Sequence, residues 1–536
     1  MRPKLARLLI GALTLSACAL SSQPRPAPSA SPAVPAAQVP AWSAEDLEFF
    51  LHGSMSTEVF PERMLRAFLR IYPDLFPKED LSHFGLLPDA TFGWPIGFSR
   101  RQVGQHLGGL SAVGINCAAC HVGDVIPPDG GRAVRVLGMT SHFDAEAFFG
   151  AVTIATFRTA DPANMERYLS AYLAAGQPAG GDAAQQALAG EWQRQREKLV
   201  VAIGADPAGA KDVAPGALHE ISGADLRLSP ESLQSGMDLT PLVRAQLRLF
   251  HNIRAALHIP DQPPDKLPPA SGPGRNDAFG LLSAVLFGAP QPYAPVKYGL
   301  VWNLDGRRWV HWDGNTRSPI GRNLLASLGL GAPLLGQRGL LDLAMVQRHT
   351  DLSETIRAPR YPFAIEVAAA SRGAALYHRR CAACHGGPED DSRLHAVEEI
   401  GTEPNRARLF TQLQADRFNK FLGGLQTPGY QPAGGPGIRS TQKYWASSLA
   451  GVWARSPYLH NGSVRTMQEL LAPASARAAS FQRGGRRYDA VQMGYADEGP
   501  YRLDTRAPGQ SNAGHEFGTD LSAAQKRDLI EYLKTL

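Results

Sequence analysis

Cys117-Ala118-Ala119-Cys120-His121 recurs letter for letter as Cys381-Ala382-Ala383-Cys384-His385. Cys-x-x-Cys-His is the attachment sequence of a c-type haem. Thiols at this spacing bond the two vinyl groups of one porphyrin, and the histidine lies beneath the iron as its proximal ligand. A bare Cys-x-x-Cys also suits a disulfide, half a zinc site or a thioredoxin-type redox pair. A histidine directly after both pairs, with no other cysteine nearby to complete a zinc site, argues against those readings. The chain has five cysteines, and only Cys18 falls outside the two motifs. The expectation is therefore two c-type haems (iron). One is bonded through Cys117 and Cys120 with His121 as axial ligand, the other through Cys381 and Cys384 with His385.

A chain of 536 residues exceeds one simple core, so two or three lobes are expected. With 44% hydrophobic and 19% charged residues, the composition is that of a globular protein. The 54 glycines and 42 prolines suggest a loop-rich structure wrapped around something rigid. A formal charge of +5, without a Lys/Arg run or an aromatic–basic stripe, gives no reason to expect nucleic acid. The mild basic excess reads as a soluble surface, or as help in docking an acidic redox partner.

The chain opens with a basic segment (Arg2, Lys4, Arg7), an apolar run over 8–15 and the small residues Ser16-Ala17-Cys18. This is a secretory signal, too short to span a bilayer permanently. Leu15-Ser16-Ala17-Cys18 also resembles the bacterial lipobox, in which Cys18 becomes a lipidated first residue; the other reading is an ordinary signal peptide with an incidental cysteine. By resemblance to lipoproteins generally, Ala19 suggests the outer membrane. The expected organisation is a lipoprotein-type signal over 1–18, a Pro/Ala/Ser-rich tether over 19–41, an N-terminal haem domain with a large insertion over 42–358, and a C-terminal cytochrome c-like haem domain over 359–536. The location expected is the bacterial cell envelope, on the periplasmic side, held by the lipid.

Folding begins near Trp42, where Ser43 precedes a helix, and the 64–71 stretch forms a second helix that ends at Pro73. Helices are also expected over 161–173, 182–201 and 240–257, the last with Thr240 as N-cap and Pro241 at its first position. Pro260 to Pro273 is a proline-rich loop. Trp302, Trp309 and Trp312 cluster with His311. They read either as core or as residues beside or between porphyrins, where an indole relays electrons or walls off an open iron face. A helix over 364–379 leads into the second motif, and Ser522-Ala523-Ala524-Gln525 forms the capping box of a final helix. The fold class expected is mainly α, with two cytochrome c-type haem lobes and long loop-rich insertions.

Four segments carry a resemblance to a known family: Ile115 to His121, Ile400-Gly401-Thr402-Glu403-Pro404-Asn405-Arg406, Ser456-Pro457-Tyr458-Leu459-His460-Asn461-Gly462-Ser463-Val464, and Ser511-Asn512-Ala513-Gly514-His515-Glu516-Phe517-Gly518. They look like the di-haem cytochrome c peroxidase superfamily, and most like its rubber-oxygenase branch. The resemblance implies unlike haems. The N-terminal one has an open or weakly held distal position where peroxide or dioxygen reacts; the C-terminal one has two axial ligands and passes electrons. It makes His515 the second axial ligand of the second haem. Peroxidase members place a Met there, but counted from His460 the matching position is Ala474, with Met467 and Met493 out of register. His460 is then a residue near the haems or between them. His142, His311 and the Trp309 to Trp312 loop are candidates for the distal side of the first haem. A calcium ion rests on the resemblance alone.

Two functions follow. One is an oxidoreductase that activates peroxide or dioxygen at the His121 haem, drawing electrons from a small cytochrome or cupredoxin and acting on peroxide, dioxygen or a small organic substrate. The other is a lipid-anchored electron-transfer cytochrome without catalytic activity. The long stretch between the motifs favours the enzyme. The lipid anchor argues against cleavage of an extracellular polymer such as rubber.

Overall fold

A computed structural model of the chain describes residues 36–102, 111–159, 162–175, 270–276, 293–332 (apart from 306 and 308), 341–424 (apart from 389) and 437–536. The expected signal with Cys18, most of the tether, the helices expected over 182–201 and 240–257, and most of the proline-rich loop lie outside these residues.

Short local signals start each element. Helix α1 (Ala44–His52) begins at Ser43, whose hydroxyl accepts from the Asp46 amide while the Asp46 carboxylate accepts from the Ser43 amide. This reciprocal pair satisfies two of the amides that a helix start leaves open. Helix α2 (Glu62–Ile71) buries Met64, Leu65, Phe68 and Ile71, and leaves helical geometry at Tyr72, just ahead of Pro73. Strands β1 (Phe60–Pro61), β2 (Phe98–Gln102) and β3 (Ser111–Ile115) pair antiparallel in the order β1-β3-β2, with Phe98 opposite Ile115. The buried strand β3 runs straight into helix α3 (Cys117–His121), which carries the first motif. Strands β4 (Val122–Val125) and β5 (Val134–Leu137) form the hairpin after it.

Helices α4 (Ala145–Thr159) and α5 (Pro162–Ala174) pack with α2 over an aromatic core that includes Phe60, Phe68, Phe84, Phe98 and Phe148. Strands β6 (Arg275–Asn276) and β7 (Val296–Lys297) pair next. Helices α6 (Pro319–Gly329) and α7 (Leu343–Thr355) are capped by Ser318 and Asp342. The second motif lies between α8 (Val367–Arg380) and the one-turn helix α9 (Ala382–His385). After it come β8 (Leu394–Ala396), α10 (Gln412–Gly424), β9 (Lys443–Trp445) and the last helix α11 (Ala523–Leu533). The capping box expected at Ser522 forms with Gln525.

Helices α8 and α11 cross closely. A Cβ at Gly373 would stand 2.0 Å from the Asp528 carbonyl oxygen, so only glycine admits this approach. Arg372 clamps Asp528 through two of its guanidinium nitrogens, at 2.9 and 2.7 Å, and Tyr377 meets Tyr532 one turn along.

The described residues form one compact unit. One apolar cluster joins Ala118 and Val122, beside the first motif, to Leu376 and Tyr377 of α8 and to Leu529, Ile530 and Leu533 of α11. The chain crosses from 358 to 359 as part of this core. Ile356 is fully buried, Tyr361 and Phe363 pack against the same cluster, and the Trp453 indole donates to the Pro359 carbonyl at 2.8 Å. Among the described residues, strands run two to five residues, and no helix is long and apolar enough to cross a membrane.

Candidate haem centres

The first motif is held from three sides. Asn116 caps α3 by accepting from the Ala118 amide at 2.9 Å and donates to the Gly53 carbonyl at 2.9 Å. Gly97 (φ +89°) touches the motif so closely that a Cβ would lie 2.1 Å from the Ala119 nitrogen. Ser141 donates through its amide to the Cys120 carbonyl and through its hydroxyl to the Ala119 carbonyl. These contacts turn Cys117, Cys120 and His121 into a cavity of about 270 Å³. Burial pushes the Cys117 thiol up to about 11 and the Cys120 thiol up to about 12. Burial, with the nearby Arg322 charge, holds His121 down to about 4, so its imidazole is neutral and able to bind a metal.

His311 and Trp312 line the same cavity as His121, with Arg322 and Asn323 of α6 beside them. His311 has φ +73°, an uncommon backbone for a residue with a Cβ. Its Nδ1 lies 2.8 Å from Asn315 Oδ1 and 3.2 Å from Thr316 Oγ1. Burial is the main cause that holds it down to about 3, joined by the charges of Arg406 and Arg322 and by His121 itself. The three tryptophans part company. Trp312 lines the cavity and donates to the Lys297 carbonyl at 3.1 Å. Trp302 is wholly buried in the shared apolar core and bonds the Ala450 carbonyl. Trp309 lies under the Arg439 guanidinium at 3.6 Å. His142 is not part of this cavity; it stands edge-on to Tyr495 and lines a separate cleft with Lys78 and Pro273.

At the second motif, His385 Nδ1 lies 2.7 Å from the Ser447 carbonyl. His515 faces it, the ring centroids 6.3 Å apart with an interplanar angle of 48°. A ligating imidazole nitrogen stands about 2 Å from a metal and its ring centroid about 1.2 Å further back, so two rings on either side of one ion have centroids roughly 6.3 Å apart. The pair therefore fits one iron held between them. Gly514 (φ +78°) and His515 (φ +50°) make the turn, and a Cβ at Gly514 would lie 2.3 Å from the Gly401 carbonyl carbon. Arg477 fastens this turn through the Asn512 and Gly514 carbonyls at 2.5 and 2.7 Å. Burial holds both imidazoles down to about 4. Cys381 and Cys384 are half-buried, and Phe517, 46% exposed, packs edge-on to His515. Met467 and Met493 are buried in the shared core.

A polar belt lies between the two motifs. Ser447, whose carbonyl takes the His385 hydrogen bond, also lines the first cavity. His460 stacks on Tyr444 at 4.4 Å, with Nε2 3.1 Å from the Tyr444 hydroxyl and 3.8 Å from Glu403 Oε2. Lys297 is fully buried and donates to the Arg455 and Pro457 carbonyls. Arg406 grips Asp313 through two bonds of 3.0 and 3.2 Å, both side chains 1% exposed. Lys297, Asp313, Arg322 and Ser447 were not singled out from sequence. The one local signal near them is the Asp313-Gly314-Asn315-Thr316 turn directly after the tryptophans.

Residues 443–482, which include Tyr444, Ser447 and His460, match the family described as RoxA-like, cytochrome c-like. The chain is similar to two uncharacterized proteins of Sinorhizobium fredii (strain NBRC 101917 / NGR234). It is 26% identical to y4iJ over 92% of each chain, and 31% identical to y4iM over 51% of this chain and 72% of y4iM. The chain belongs to one family with y4iM, and its 443–482 segment is similar to RoxA-like, cytochrome c-like domains.

Proposed function

We propose that this chain is an exported di-haem cytochrome whose first centre activates peroxide or dioxygen while its second passes electrons. The single observation behind the reading is an asymmetry. His121 opens onto a cavity of about 270 Å³, whereas His385 faces a second imidazole at 6.3 Å. Cys117 and Cys120 would hold the first haem and His121 its iron; Cys381, Cys384, His385 and His515 would hold the second. When bound, the haems supply the redox chemistry. The chain's own part is to keep His121 neutral, to shield the cavity with Trp312 and to orient His385 through Ser447. The shared belt and core support rapid exchange between two rigidly placed centres. A mainly α fold of two cytochrome-like halves belongs to the same proposal.

Optical spectra of the oxidised and reduced protein, with and without carbon monoxide or peroxide, test it. One centre should take the added ligand while the other stays six-coordinate and low-spin. Two centres that never bind an added ligand, even after partial reduction, would leave only the electron-carrier function. The same proposal places the protein in the envelope of a bacterial cell, tethered by lipid on Cys18, with a small cytochrome or cupredoxin as electron donor. Cys18→Ala should release the protein from the membrane fraction, and persistent association would count against the anchor.

A further inference from the structure

We propose that the chain binds one halide ion, such as chloride, in a buried pocket enclosed by His142, Arg465, Arg483 and Tyr495. The pocket shares no lining residue with the first haem cavity. Its four polar side chains come from three separate segments, yet they line one space of about 10 Å³, closed further by Pro457 and Phe481. Roughly 10–15 Å³ is the room that a single water-sized sphere needs, so whatever enters meets every wall at once. His142 is 8%, Arg483 4% and Tyr495 5% exposed. Arg465 Nε, Arg483 Nε, the Tyr495 hydroxyl and His142 Nε2 are all buried with no hydrogen-bond partner among the described residues. The other nitrogens of both guanidinium groups are committed. Arg483 donates through them to the Gly462 and Pro273 carbonyls, and Arg465 to the Tyr495 carbonyl and the Glu469 carboxylate, both at 3.0 Å. Only the Nε–H of each is left for a ligand.

Donor count and charge select the ligand. Two N–H groups and a hydroxyl exceed the two lone pairs with which a water oxygen accepts, whereas a halide accepts from all three. Arg483 is bonded to backbone carbonyls alone, and a buried charge of this kind is costly unless an opposite charge meets it. Asp144 offsets it only through space. Glu498 also lines the pocket, but its carboxylate is held by Arg487 at 2.9 Å. The Arg483 and Arg486 charges join burial in holding His142 down to about 3, so the field at the pocket is positive. A polyatomic anion needs more room than this space provides. His142 and Gly484 also line an adjoining cleft of about 260 Å³ whose rim carries the exposed Lys78 and His83, and this cleft gives an anion its way in. Ser141, beside His142 in the chain, holds the Cys120 and Ala119 carbonyls of the first motif. A halide bonded on both sides fastens that support to the 457–465 and 481–498 segments.

Bromide scatters X-rays anomalously near its absorption edge and water does not, so crystals of the whole chain grown with sodium bromide test occupancy directly. A bromine peak should lie among His142, Arg465, Arg483 and Tyr495. Density without an anomalous signal there, as an ordered water gives, overturns the inference. Urea unfolding tests binding in solution, with sodium chloride replacing sodium acetate at constant ionic strength. The wild-type midpoint should rise with chloride and then level off. Tyr495→Phe, which deletes one donor and keeps the ring, should raise the half-saturating chloride concentration about tenfold, the equivalent of ~1.4 kcal/mol, near the low end of what a hydrogen bond to a charged group contributes. Its haem spectra should match those of the wild type, which separates this site from chloride at an iron. Arg483→Gln should abolish the chloride dependence; where that variant fails to fold, Tyr495→Phe decides. A bromine peak without any chloride dependence in solution marks an adventitious ion only and overturns the inference, as does a chloride dependence that Tyr495→Phe leaves unchanged.

Discussion

The same five residues occur twice in this chain, and the two copies have different fates. Around the first, Ala118 and Ala119 are buried, the cysteines line a cavity, and the Tyr298 phenol stands edge-on to His121 with the ring centroids 6.4 Å apart. Around the second, Ala383 and the glycines after His385 are exposed, and the imidazole is met by His515. A motif specifies attachment, while the chemistry done there is set by what the fold brings across from it. The first site joins its motif to residues of the long stretch between the motifs, such as Lys297, His311 and Arg322, and to Arg406 and Ser447 beyond the second motif. The second draws its partner ring from the turn just ahead of the last helix.

The sharpest way to break the comparison is to remove the partner ring. His515→Ala should convert the second centre from low-spin to high-spin and give it a site for carbon monoxide, leaving two centres that both take added ligands. An unchanged low-spin spectrum would rule His515 out as a ligand and erase the contrast with His121.

The next effect bears on the belt beneath the first cavity. Asp313 and Arg406 are each 1% exposed and bonded twice. Removing one member of such a buried pair leaves an unpaired charge in the interior, which costs about 3–5 kcal/mol. Asp313→Ala should lose that much stability in denaturant unfolding. It should also disturb the first centre more than the second, because His311 and Trp312, which directly precede Asp313 in the chain, line the first cavity with Arg406. A loss below about 1 kcal/mol, the scale of an exposed pair, would mean that the belt does not hold the cavity's shape.

Much of the second site was legible in the sequence because its signals are local. The capping box expected at Ser522 forms, and the resemblance carried by the 511–518 segment implied His515, whose ring the fold brings to His385. The helix expected from Ala364 begins later, at Val367, and the Glu366 amide ahead of it donates to the Glu531 carboxylate of α11 at 2.9 Å. That is a tertiary bond which propensity does not register. The first site was legible only at its motif. Trp302, Trp309 and Trp312 look alike in sequence, yet the packing of α8, α11 and Arg439 sends two of them away from the cavity. Arg322 and Asn323 lie on an ordinary amphipathic helix, and nothing in their spacing marks the face that meets His121.

The smallest effect separates the two regions by their response to acid. In the first, Glu62 Oε1 accepts from the Trp94 indole at 2.9 Å and from Arg66 at 3.0 Å, and Oε2 accepts from Ser111 at 2.8 Å. Burial alone would raise its pKa, but the bonds from Trp94, Ser111 and Arg66 outweigh burial and hold the carboxyl below its ordinary value. In the second, Glu398 is also lowered, by its backbone and by Arg408, but the two side chains are 73% and 58% exposed, so solvent screens the pair. A carboxyl with a lowered folded pKa contributes stability above its unfolded value of about 4.3, and loses it as the pH falls through the folded value. Glu62→Gln should therefore cost about 1–2 kcal/mol at neutral pH, and the deficit should shrink towards the acid edge, where wild-type Glu62 is itself protonated. Glu398→Gln should show little deficit at either pH. Urea unfolding of both variants across that range decides the matter. A Glu62→Gln deficit that does not change with pH would assign the loss to packing rather than charge, and a matching pH-dependent deficit in Glu398→Gln would remove this difference between the regions.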